Sequence, residues 1–80
     1  MQKRENLKEK IKEIIIDVAM LDSDFDEQSH LKNDLALDSM SFIGIILELN
    51  KEFNIEIKST DITEDNFSNL NKIVSFIERF

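Results

Sequence analysis

The chain has 80 residues, with 17 acids against 10 bases, a net charge of −7, no cysteine, no proline and one glycine. A single domain of this length buries only about 60% of the surface its unfolded chain exposes, which disfavours a deep catalytic cleft. Without cysteine there is no disulfide and no thiolate metal site; 41% hydrophobic residues exclude a disordered chain, and the acidic balance disfavours nucleic acid.

No apolar run reaches the roughly 18 residues a bilayer span needs, and the N-terminus lacks the unbroken apolar stretch of a signal peptide. The expected location is therefore cytoplasmic. The charge is uneven. Residues 1–20 balance at +1, 21–38 hold six acids against Lys32, and 39–80 balance at −3.

In chain order, Leu7, Ile11, Ile14, Val18 and Leu21 recur at helical spacing and predict a helix over 6–20. Residues 21–37 are rich in Asp, Ser and Asn, which favour turns, and read as a long loop. Phe25, Leu31, Leu35 and Leu37 are expected to peg that loop to the core. A second helix follows over 39–53. Its apolar residues cover more than one stripe, so it should meet something beyond the core. Gly44 inside it costs about 1 kcal/mol relative to alanine, which points to a close approach. Ile55-Glu56-Ile57 alternates like a short extended link. Ser59 or Thr60 is expected to cap a short helix at 61–64, and Ser68 a last helix over 69–80, with Leu70, Ile73, Val74, Ile77 and Phe80 facing inward. The fold class expected is all-α: a small four-helix bundle of three main helices and one short one, forming one domain over 1–80.

Two apparent sites fail on chemistry. Asp22-Ser23-Asp24-Phe25-Asp26 begins like a calcium loop, but the glycine needed at its sixth position is Glu27, and the glutamate needed at its twelfth is Asn33. No metal site is expected. His30, the only histidine, could in principle activate a serine, but a hydrolase would also need an oxyanion hole that this glycine-poor chain does not offer. His30 reads as a surface loop residue.

The stretch Leu35-Ala36-Leu37-Asp38-Ser39-Met40 is different. If Asp38 caps the second helix by accepting the Met40 or Ser41 amide, Ser39 falls at the first helical position with its hydroxyl outward. A phosphate ester there would sit at the positive end of the helix dipole. Leu37 and Met40 would flank it as exposed or half-exposed apolar residues. An inert Asp-Ser helix start remains equally consistent with these residues.

Asp34-Leu35-Ala36-Leu37-Asp38-Ser39-Met40 resembles the phosphopantetheine attachment motif of acyl and peptidyl carrier proteins, whose core is Asp-Ser followed by Leu or Met. The likeness extends over nearly the whole chain: the long loop before the motif, the apolar helix after it, Phe53-Asn54-Ile55-Glu56-Ile57, and the two last helices fall at the family's spacings. Leu37-Asp38-Ser39-Met40 and Asn71-Lys72-Ile73 look most like D-alanyl carriers and stand-alone peptidyl carriers. Two departures stand out. Ser41, Gly44, Asn50 and Lys51 replace acids that fatty-acid carriers use for docking, and Ala36 replaces a usual glycine.

The resemblance implies a non-catalytic carrier. A phosphopantetheinyl transferase would attach 4'-phosphopantetheine from coenzyme A to Ser39. An adenylate-forming acyl or aminoacyl ligase would load the arm as a thioester, and a downstream enzyme would accept the cargo. The arm would bear the only thiol. Asp38 would orient the site, and Leu37, Met40, Ile43 and Ile62 would form the partner surface, steered by the acidic loop 22–38. The greasy second helix leans the reading towards aminoacyl cargo carried by a monomer. The alternatives are a fatty-acid-synthesis acyl carrier protein and an unmodified acidic helical adaptor.

Overall fold

The computed structural model describes residues 2–22 and 24–80, Gln2 by its backbone alone. Helix α1 spans Gln2–Ala19, α2 Ser39–Phe53, α3 Glu64–Phe67 and α4 Leu70–Glu78, with a single 3₁₀ turn at Ser59–Asp61. No strand occurs among the described residues. The all-helical bundle with one short helix and a long first loop is as expected. No helix among the described residues is long and apolar enough to cross a membrane.

The first helix packs against both α2 and α4. Its fully buried residues are Ile11 and Ile15, while Leu7, Ile14, Val18 and Leu21 are only partly buried. The face is thus rotated from the one the spacing suggested, because two neighbours must be served. The helix ends one residue early. Met20 turns left-handed at φ 57°, and the Leu21 amide reaches back to the Ile16 carbonyl at 3.0 Å, closing the end.

The loop after α1 is laid down by charge and by pegs. Glu27 meets Lys8 at 2.6 Å and Asp24 meets Lys12 at 2.9 Å. The Lys8 ammonium pulls the Glu27 carboxyl below its usual pKa, and Lys12 does the same to Asp24. Part of the loop's acidity is therefore spent on α1. Leu31 and Leu37 are buried in the core, with Phe25 and Leu35 partly so. All four pegs hold.

Helix α2 faces the core with Ile45, Ile46 and Leu49. Asn54 ends it in the left-handed region at φ 54°, a conformation asparagine tolerates. Asn50 then ties the following link through its Oδ1, which accepts the Ile57 amide at 2.9 Å. Gly44 marks a close crossing of α1 and α2. A Cβ there would lie 2.7 Å from Val18 Cγ1. Val18 is β-branched and stiff within a helix, so it yields poorly. Gly44→Ala should therefore destabilise by about 1–2 kcal/mol despite alanine's better helix propensity. In a Val18→Ala background the clash vanishes and the same change should stabilise by up to about 1 kcal/mol. Urea melts of the four proteins check that sign reversal.

Two caps differ from expectation. Thr63, not Ser59 or Thr60, caps the short helix, its Oγ1 accepting the Asn66 amide at 3.2 Å. Asn69, not Ser68, caps α4, its Oδ1 accepting the Lys72 amide at 2.9 Å. Several cap-forming residues stand side by side in both places, and the chain path selects among them. Phe80 lies beyond α4 and is largely exposed, while Phe76 takes the inward place expected of it.

Candidate functional site at the start of α2

The site is built backwards from Leu37. Its side chain is buried, and its amide donates to the Leu31 carbonyl at 3.1 Å. Leu37 is thus a core peg and not an exposed flank of Ser39, since the residue just before the cap must anchor the chain. Ala36 precedes it in the left-handed region at φ 58°. An L-residue with a Cβ is strained there by about 1–2 kcal/mol. Ala36→Gly should therefore raise stability by about 0.5–1 kcal/mol, less than the full strain because glycine also loosens the unfolded chain. A thermal melt reads it directly.

Asp38 follows as the N-cap of α2. Its Oδ1 accepts the Ser41 amide at 2.9 Å. That bond, with the Ser41 side chain adding to it, favours the ionised form and holds the carboxyl below its usual range. Ser39, the first residue of α2, is exposed, and its hydroxyl makes no hydrogen bond among the described residues. The unpaired amides of the first turn lie beside it.

Exposed apolar residues frame the serine. Met40, Ile43 and Leu47 form an outward stripe on α2, opposite the core face, and Ile62 is exposed nearby in sequence to α3. Leu47 was missed in the sequence, although its spacing from Met40 and Ile43 is helical. Next to Ser39 opens a cleft of about 550 Å³, floored by Leu37, Phe42, Ile46 and Phe67. Its size falls in the range of small-molecule clefts.

His30 also reaches this cleft. It is no plain surface residue. Nδ1 accepts the amides of Lys32 and Asn33 at 3.2 and 3.1 Å, and Nε2 meets Glu64 Oε2 at 2.6 Å. Both ring nitrogens are engaged, so neither is left to take a proton from Ser39. The calcium-like stretch likewise comes apart. Asp24 turns to Lys12 and Asp26 accepts the Gln28 amide, Ser23 lies outside the described residues, and no cluster of metal-ligating side chains occurs among the described ones.

The family profile described as "Phosphopantetheine attachment site" matches residues 9–77, from the second turn of α1 nearly to the end of α4. The chain belongs to this family. Curated relatives agree. An acyl carrier protein of Phytoplasma australiense is 35% identical over 72 residues, covering 89% of this chain and 92% of the relative. One from Thermotoga maritima is 30% identical over 80 residues, covering 99% and 96%. One from Buchnera aphidicola is 31% identical over 77 residues, covering 95% and 96%. As a member of this family, the protein is a non-catalytic acyl carrier bearing covalent 4'-phosphopantetheine. It works with a phosphopantetheinyl transferase and with acyl-handling enzymes.

Proposed function

We propose that Ser39 is the residue that carries the phosphopantetheine. The observation that carries this reading is an exposed hydroxyl with no hydrogen bond among the described residues, at the first position of α2, held by a buried peg at Leu37 and a cap at Asp38. The residues fit the group: the ester phosphate would meet the unpaired amides of the helix start, and the open cleft lies alongside. Ser39 Oγ attacks the β-phosphorus of coenzyme A. A P–O bond forms, the bond to 3',5'-ADP breaks, and the hydroxyl proton leaves to a base on the transferase. When bound, the group supplies a terminal thiol for thioester formation. The chain has no cysteine to compete for the acyl group.

Met40, Ile43 and Ile62, with Asp38 at the rim, form the partner surface in this reading, and Leu47 extends it. Leu37 contributes by anchoring the site and lining the cleft. Acids Asp22, Asp26 and Asp34 leave a negative field for steering basic partners, weakened where Asp24 and Glu27 are paired. An adenylate-forming ligase loads the arm, in the cytoplasm where coenzyme A and ATP are at hand. The acid-poor stripe on α2 leans towards an aminoacyl cargo; the relatives' name, acyl carrier protein, fits a fatty acyl group equally. Incubation with coenzyme A and a broad-specificity transferase tests the attachment: one phosphopantetheine should be gained. Hydroxylamine release of the native cargo, followed by mass measurement, separates the two cargoes.

A further inference from the structure

We propose that the His30–Glu64 contact is a latch that sets how far the cleft beside Ser39 opens, and so how bulky a group borne at Ser39 can lie in it. The second half of this statement rests on the Ser39 reading; the first does not.

Four residues make α3, too few to be stable as an isolated helix. External ties must hold it. At its C-terminal end the ties are firm: Phe67 is buried in the core, and the Ser68 carbonyl accepts the Leu31 amide at 2.8 Å. At its N-terminal end the tie to the long loop is a side-chain contact, Glu64 Oε2 to His30 Nε2 at 2.6 Å. The Glu64 side chain is 73% exposed and that of His30 only 26%. The two ends therefore differ in kind. Breaking the first would disturb the core; breaking the second would not.

The imidazole is the fixed half. Its Nδ1 accepts two loop amides, so the neutral ring carries its proton on Nε2 and aims it at the carboxylate. Asp34 Oδ2 in turn accepts the His30 amide at 2.8 Å and stiffens the same turn. Glu64 is the moving half. When it lets go, Ile62, Thr63 and Glu64 can swing away from Ile43 about the anchor at Phe67 and Ser68. Those residues form one wall of the cleft, and α2 forms the other. The cleft then widens on the side next to Ser39.

Hydrogen–deuterium exchange of the unmodified protein tests the latch by itself. Glu64→Ala and His30→Ala should speed exchange at the amides of 62–66 about two- to fivefold, the effect of losing one exposed side-chain contact to a carboxylate, with α4 unchanged. Glu64→Gln keeps an oxygen to accept the Nε2 proton and should exchange like the parent. Equal rates in all four proteins overturn the proposal. So does a uniform acceleration that includes α4, which would mark a merely structural contact. A solvatochromic coenzyme A analogue, loaded by the transferase, tests the consequence. The blue-shifted fraction of the tethered dye should rise about two- to fivefold in Glu64→Ala and not in Glu64→Gln. Unchanged emission with faster exchange overturns the link to the cleft. Failure of the dye to attach refutes the Ser39 reading and leaves the exchange result to decide the latch.

Discussion

Replacing Ser39 with alanine should abolish phosphopantetheine addition, while the melting temperature should stay within about 2–4 °C of the parent, as for surface changes of about 0.5 kcal/mol or less. The loss should be complete because the step needs an oxygen nucleophile at one place. Ser41 stands two residues on, but its amide is bound to the Asp38 cap, which fixes it in the first turn of the helix. It also lies on a different side of the helix, about 200° away at 3.6 residues per turn. The fold should not notice the change. The Ser39 side chain is exposed, makes no hydrogen bond among the described residues and is not the cap. Mass spectrometry after transferase treatment and circular dichroism on the same samples measure both halves. Addition to Ser39→Ala would move the attachment elsewhere, and loss of addition with loss of fold would leave Asp38 and Leu37 as the cause.

The largest effect on stability is expected at Leu31, a loop residue. Its side chain is fully buried, its amide is tied to the Ser68 carbonyl, and its carbonyl accepts the Leu37 amide. Leu31→Ala should cost about 2–5 kcal/mol, the transfer of the side chain plus the cavity left behind. Chains of this size have only about 4–12 kcal/mol in total. The change therefore removes a large share of the stability, and it does so at the point that joins the loop, the end of α3 and the peg before Ser39. Lys32→Ala, at an exposed neighbouring position, should change stability by less than about 0.5 kcal/mol. Urea titration of the pair measures the contrast. A Leu31→Ala protein as stable as the parent would mean that the loop is not a structural element of the core.

Leu31 also shows where reading the sequence succeeds. Apolar residues in a polar loop have few places to go, so four pegs were expected and four hold. The cap at Asp38 and the exposed Ser39 were legible for a similar reason: capping is a short-range bond between a carboxylate and amides two or three residues away. The tight spot at Gly44 was visible as a residue out of place, though only the crossing of α1 over α2 shows that Val18 is what it accommodates. Leu37 was read two ways, as a peg and as an exposed flank. Sequence could not choose, because the left-handed turn at Ala36 decides which way the next side chain points.

The sequence by itself determined the helix count, the long pegged loop and the serine at a helix start, together with the motif that ties it to phosphopantetheine carriers. Each of these rests on periodicity or on bonds between near neighbours. Only the tertiary structure decided which of three adjacent isoleucines in α1 is buried, which of several adjacent cap formers starts α3 and α4, and that His30 meets a carboxylate 34 residues away. Those choices depend on how helices pack and on contacts between distant residues. Packing fixes them after the local pattern has been satisfied.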